Sequence, residues 1–299
     1  MLFTTADLVT GFLAGLVVCF ATTLVEHFGG VIGGVISTLP HVAVFGSIAF
    51  YIKEQDDNVG LFHYGTLSMP MGMLAIALLI LTFHTLSQTT RIPFLKNLKS
   101  IHRLMTLTFL SLCCYAASTG FLLLVFSQIS QNVRGLWLLS IGCFICHFLV
   151  ASCTLRTFTP SPKADSPSSL KGLVLRGTST TILFLLATTA AASEPALAGI
   201  LVNFPLVTIV TVTSLWVTHG EVIAIGVLTP MSFGMLSPSL YALLATSFVP
   251  LLDRWGFAVA WVVAVCLATL PITLFLRRVH EKRRGQQEEG EELEQVCTS

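Results

Sequence analysis

Two prolines stand inside long apolar runs, each six residues after a glycine: Gly34-Val-Ile-Ser-Thr-Leu-Pro40-His-Val-Ala-Val and Gly199-Ile-Leu-Val-Asn-Phe-Pro205-Leu-Val-Thr-Ile. A proline in a helix lacks the backbone donor and clashes with the turn before it, which leaves carbonyls free for another partner. Ser37, Thr38 and His41 lie beside the first proline and Asn203 beside the second, so the chemistry on offer is hydrogen bonding to a small solute, not bond making. Asn203 is the one asparagine well inside an apolar run, and an amide in hydrocarbon must find a partner. Because a free imidazole titrates near neutrality, His41 is the candidate for coupling or gating, with Glu26 at the end of the first run as a second. Met69-Pro-Met-Gly72-Met-Leu and Met231-Ser-Phe-Gly234-Met-Leu share the pattern M-x-x-G-M-L, whose glycines allow close backbone approach. The candidate substrate-binding residues are therefore Thr38, Pro40, His41, Met69, Gly72, Asn203, Pro205, Met231 and Gly234. The plainer use of the same residues is a packed kink with small side chains at helix contacts.

Other chemistry is poorly provided for. Every carboxylate lies at the end of an apolar run or between runs, with Glu26, Glu194, Glu221 and Asp253 as flanks, so the buried acid pair of an ion pump is missing. A strongly cationic solute is disfavoured, whereas helix N-termini and backbone donors suit a neutral, amphipathic or anionic one. Met69, Met71 and Met73 follow His63 and the acidic stretch Glu54, Asp56, Asp57, a set that could take Cu(I). Met231 and Met235 repeat part of that pattern without the histidine or the acids, and methionine commonly fills packing gaps, so no metal site is expected. Cys143-Phe-Ile-Cys146-His147 has the spacing of c-type haem attachment but lies inside an apolar run, where packing is the simpler use. The eight cysteines are scattered and suggest no disulfide framework. No phosphate loop, zinc-protease helix or nucleophile elbow occurs. No catalytic residue and no cofactor are expected, and the chain does not read as an enzyme.

The elements that hold these residues follow from composition. The chain has 299 residues, 54% hydrophobic and 10% charged, with mean hydropathy +0.83, far from the quarter or so of charged residues in soluble domains. Apolar windows of about 20 residues match the hydrocarbon thickness at 1.5 Å rise per residue. Nine are found, at 8–25, 31–52, 65–86, 104–127, 135–155, 173–192, 197–217, 222–248 and 256–276. The first follows a stretch without Lys or Arg and so does not read as a cleavable signal peptide. Thirteen of sixteen basic residues fall in three segments, 91–103, 156–176 and 277–284. Nine spans put all three on one side, so the positive-inside rule sets the N-terminus outside and the C-terminus in the cytoplasm. Which membrane it is does not follow. There is no basic face for nucleic acid.

Three blocks repeat in register: Ala21-Thr-Thr23 with Ala187-Thr-Thr189, the glycine-to-proline segments, and M-x-x-G-M-L. Spans one to three thus match six to eight, an offset of five that inverts the second copy. The fold class expected is an all-α integral membrane protein of about nine transmembrane helices in two duplicated, inverted-topology halves, an arrangement frequent in secondary transporters. The first half is 1–155, with five spans; 156–172 is a cytoplasmic Pro/Ser-rich linker; the second half is 173–277, with four spans; 278–299 is a disordered cytoplasmic tail rich in glutamate. The function expected is a multipass carrier moving a small solute by alternating access between the repeats. A non-transporting scaffold or assembly subunit and a channel are the alternatives, with metal-ion transport weaker. The partners expected are the lipid bilayer and the solute; self-association and a cytosolic partner for the acidic tail stay open.

Overall fold

The structure, a computed structural model, describes residues 5–28, 30–56, 60–88, 98–129, 132–156, 158 and 205–283, with short pieces at 170, 173–174, 177–179, 181–182, 185 and 199–200. All regular structure among them is helical. In chain order the helices are α1 (Thr5–Phe28), α2 (Gly30–Ile36), α3 (His41–Asp56), α4 (Leu61–Gln88), α5 (Ser100–Ile129), α6 (Val133–Leu155), α7 (Leu206–His219), α8 (Glu221–Gly226), α9 (Leu228–Gly234), α10 (Leu236–Leu252) and α11 (Trp255–Ala264).

Six helical stretches are long and apolar enough to cross a membrane: Val31–Ile52, Phe62–Gln88, Ser100–Ile129, Val133–Leu155, Glu221–Leu252 and Trp255–Arg283. They coincide with six of the nine apolar windows, and the chain is an all-α protein of multipass type. The window at 8–25 lies within α1, a 24-residue helix. The window at 173–192 falls largely outside the described residues, whereas in that at 197–217 only 197–198 and 201–204 do, and α7 forms its second part. Most of the linker lies outside as well, and so does the tail beyond Arg283; residues 278–283, expected as the start of a disordered tail, continue the last helix instead.

Burial separates centre from periphery. Phe62–Gln88 is the middle of the bundle, 83% buried, against 28% for Ser100–Ile129, Val133–Leu155 and Trp255–Arg283. On α5 the residues at helical spacing, Leu104, Leu107, Ser111, Tyr115, Thr119, Leu122 and Phe126, turn inward. Its opposite face carries Met105, Phe109, Phe121 and Leu124, each at least 65% exposed. An outward face that apolar suits acyl chains, which are as apolar as the core itself.

Prolines set the interruptions. A proline cannot donate to the carbonyl four residues earlier, and α2 ends at Ile36, α8 at Gly226 and α9 at Gly234, each four residues before Pro40, Pro230 or Pro238. Between α2 and α3 the chain tightens into i to i−3 bonds, Thr38 N to Val35 O at 3.2 Å and Leu39 N to Ile36 O at 3.1 Å. In the last span Pro271 is met differently, by a π-helical turn at Val265–Thr269 whose Thr269 hydroxyl donates to Ser237 Oγ at 2.9 Å. Pro70 interrupts nothing, and α4 runs through it.

Helix ends are tied by side chains. Glu54 accepts from Gly60 N at 2.9 Å and Phe62 N at 2.7 Å, so this acid serves the N-terminus of α4, where unpaired donors and the helix dipole favour a negative charge. Arg283 donates to Leu155 O at 2.8 Å and to Phe158 O, capping α6 with a cation at the end that favours one. Arg103 meets Glu221 at 3.0 Å and donates to Ser87 O, joining α5 to α8 and to the end of α4. Both partners are about a quarter exposed, so in a double-mutant cycle Arg103→Ala and Glu221→Ala are expected to couple by about 1 kcal/mol. Thermal unfolding in low and high salt measures this, and strictly additive losses would show that the pair does not interact.

Candidate functional site

The repeated glycines sit where backbones cross. A Cβ on Gly34 would lie 2.8 Å from Pro230 Cβ and 3.3 Å from Val227 O, so α2 passes directly over α9. A Cβ on Gly234 would overlap Thr38 Oγ1 and stand 3.0 Å from Val35 Cα. At another crossing a Cβ on Gly199 would overlap Gly65 O and Ser68 Oγ, and one on Gly72 would be 2.8 Å from Ile200 O and 3.1 Å from Ile200 Cα. The segment at 199–200 therefore passes over α4 at the same closeness.

A third crossing involves α1. Gly11 faces Leu185, Gly15 faces Thr181 and Gly177, and Cys19 faces Gly177, with Cys19 Sγ donating to Leu173 O at 3.1 Å. Numbers rise along one helix as they fall along the other, so α1 and the 173–185 segment run antiparallel.

The candidate residues divide among these places. Thr38 and Gly234 touch, at the α2–α9 crossing. Thr38 is nonetheless committed locally, its hydroxyl donating to Val35 O at 2.8 Å, as Ser37 donates to Gly34 O at 2.8 Å. Gly72 lies at the other crossing. Met69 and Met231 are fully buried, Met69 among Ala43, Phe50 and Tyr241, Met231 among Leu67, Met71 and Leu228. Pro40 is buried at the break, and Pro205 opens α7. Asn203 lies outside the described residues, as does the side chain of Glu26, whose backbone closes the last turn of α1.

His41 faces elsewhere, into an open groove of about 780 Å³ between α3 and α11. Val44, Phe45, Ile48, Phe257 and Trp261 form its walls, with Tyr51 and Arg254 at its far end. A second, far smaller pocket of about 10 Å³ lies between α5 and α7, closed off by Leu79 and Phe83 of α4 and Leu228 of α9, with Thr108, Ser111, Thr208, Ile209 and Thr213 around it. The hydroxyls of Thr108, Ser111, Thr208 and nearby Thr211 are buried without a hydrogen-bond partner, an unusual state for hydroxyls that can bond back to their own helix.

Other polar contacts had no counterpart in the sequence reading. His147 is fully buried, its Nε2 donating to Ser232 O at 3.0 Å where α9 approaches its end. Its neighbours in the C-x-x-C-H run do not join it: Cys143 is buried, Cys146 exposed. Among the described residues no group of three or more His, Cys, Asp or Glu side chains could hold a metal ion. Ser47 and Tyr241 hydroxyls share a bond of 2.7 Å between α3 and α10. Arg103 and Glu221 are 118 residues apart, a separation that no local pattern announces.

At the far end of the groove, Tyr51 OH donates to Asp253 Oδ1. This bond, aided by the backbone N–H and charge of Arg254, holds the Asp253 carboxyl below its ordinary range. A depressed carboxylate stabilises the fold above its unfolded value, about 3.9, and loses that contribution as pH falls through its folded value. Tyr51→Phe is expected to flatten the decline of melting temperature on acidification below about pH 4. Parallel profiles for the two proteins would show that the tether contributes nothing.

No protein-family model, no curated protein and no solved structure matches the chain.

Proposed function

We propose that the protein is a carrier built from two inverted repeats, which moves a small solute across the membrane by alternating access. One observation carries this reading: the crossings correspond residue for residue. Positions 34 and 35 become 199 and 200 at an offset of 165, and 65, 68 and 72 become 227, 230 and 234 at an offset of 162. Gly34 on Val227 and Pro230 is then the counterpart of Gly199 on Gly65 and Ser68. Gly234 on Val35 is the counterpart of Gly72 on Ile200. Unrelated packing has no reason to repeat at matched positions, whereas a duplicated chain related by a two-fold axis must do so. The antiparallel passage of α1 against 173–185 supports inversion, because related first helices that run the same way would belong to a direct repeat.

In this reading there are nine spans, with the N-terminus outside and the C-terminus in the cytoplasm, and the protein is not an enzyme. A bundle closed so tightly at its crossings also favours a scaffold that moves nothing, which makes flux the deciding property. Single cysteines at positions 57, 96, 165 and 290 in a cysteine-free background test the topology. Position 57 should label from outside and the other three only from inside; labelling of 57 and 96 from the same face would overturn the inverted repeat. Saturable uptake of a small solute by proteoliposomes tests the carrier. Proteoliposomes that take up no member of a broad solute panel, together with copurification of a stoichiometric partner, would favour the scaffold.

A further inference from the structure

The two pockets occupy corresponding places. At the offset of 165, His41 at the start of α3 becomes Leu206 at the start of α7, and Val44 and Ile48 become Ile209 and Thr213. Val44 and Ile48 line the groove; Ile209 and Thr213 line the small pocket. The facing walls also correspond, since α11 and α5 each follow the M-x-x-G-M-L span of their half. Tyr51 becomes Trp216, and each aromatic side chain reaches across to the residues leading into the facing helix, Tyr51 to Asp253 and Trp216 Nε1 to Ser100 Oγ at 3.0 Å. One member of the pair holds about 780 Å³ and the other about 10 Å³.

The open member has the chemistry of a lipid site. Its walls are apolar and face outward, with Phe45 and Trp261 each 38% and Ile52 55% exposed. From His41 to Ile52 the groove follows eleven residues of helix, about 16 Å at 1.5 Å per residue and so roughly one leaflet of a hydrocarbon core about 30 Å thick. Charge is confined to one end, where a guanidinium and a carboxylate stand on consecutive residues, Arg254 and Asp253. Guanidinium pairs with phosphate. The Asp253 carboxylate accepts from Tyr51 through Oδ1 and has lone pairs left for an ammonium donor.

We propose that the α3–α11 groove binds a phospholipid bearing a primary ammonium, with an acyl chain along Phe45, Ile48, Phe257 and Trp261, the phosphate against Arg254 and the ammonium against Asp253. The α5–α7 pocket is the same site in its closed form. This last step rests on the inverted-repeat reading; the lipid contact itself does not.

The test uses the full chain in phosphatidylcholine vesicles with a minor fraction of phosphatidylethanolamine that carries a photoactivatable acyl chain. Cross-linked peptides should concentrate at 44–52 and 257–262, above the level at the outward α5 residues Phe109, Phe121 and Leu124. Unlabelled phosphatidylethanolamine should compete, while phosphatidylcholine and phosphatidylglycerol should not. Arg254→Gln and Asp253→Asn, which change only the mouth, should each lower the groove labelling about fivefold, with labelling of α5 unchanged. Equal competition by all three lipids would mean ordinary boundary lipid, and competition by phosphatidylglycerol alone would mean an anion site; either overturns the proposal. The readout is contact and needs no flux. A failed transport assay leaves it standing, and uniform labelling would sink the lipid site while leaving the repeat intact.

Discussion

Gly199→Ala is expected to abolish accumulation of folded protein, while Gly120→Ala and Gly142→Ala are expected to leave it unchanged or slightly more stable. The contrast lies in what the added methyl meets. At Gly199 it meets the backbone carbonyl of Gly65 and the hydroxyl of Ser68. The carbonyl belongs to α4, the buried centre of the bundle, and cannot move without displacing the helix. Overpacking a rigid core costs about 1–3 kcal/mol where side chains can yield, and here the obstacle is main chain, so the loss should exceed about 3 kcal/mol on the same basis. Gly234→Ala should behave similarly, since Val35 Cα and O both lie 3.0 Å from the new atom. Around Gly120 and Gly142 nothing stands within 4 Å, and exchanging glycine for alanine in a helix gains about 0.5–1 kcal/mol. Size-exclusion profiles and melting temperatures of the four variants in detergent decide the matter. Equal behaviour of Gly199→Ala and Gly142→Ala would mean that the crossing is not a close one.

His147→Ala should be the most damaging truncation away from the crossings. The ring is fully buried and its Nε2 donates to the Ser232 carbonyl, so the variant opens a cavity and removes a hydrogen bond together. Truncating a large buried side chain costs about 3–5 kcal/mol, and an acceptor left alone adds about 1–3 kcal/mol more. His147→Phe, which keeps the volume and loses the donor, separates the two contributions and should recover the larger part. Chemical unfolding in a fixed detergent measures both. A loss under about 1 kcal/mol for His147→Ala would show that α9 does not depend on this contact.

Much of this architecture is written in local patterns. Apolar windows mark the six membrane-length helices, and prolines at 40, 230 and 238 each end a helix four residues upstream because a missing donor acts locally. The glycines of the repeated blocks also stand where backbones meet. What local pattern does not carry is the partner. Gly34 could be read as a close-approach residue, yet its meeting with Pro230 depends on a chain reversal nearly two hundred residues long. Arg103 reads as a basic flank and Glu221 as an acidic one, and only the bundle pairs them. His41, placed by its proline near the centre of a site, points instead into the groove against α11, since side-chain direction depends on the turn taken at the break. Pro70 has the same local signal as Pro230, yet α4 runs through it unbroken.

The clamp of Arg283 on the end of α6 bears on the order of biogenesis. Arg283 is separated by 128 residues from Leu155, whose carbonyl it caps, and it stands at the close of the last described helix. A ribosome finishing this protein must therefore release nearly the whole second half before the final turn of α6 finds its cation. Until then the nascent chain carries a first half with an uncapped helix end and with Phe158 lacking the guanidinium that lies 5.9 Å from its ring centre. Closure of that end therefore waits on a chain extended through Arg283, and a polypeptide that stops short of it leaves the Leu155 carbonyl without its cation.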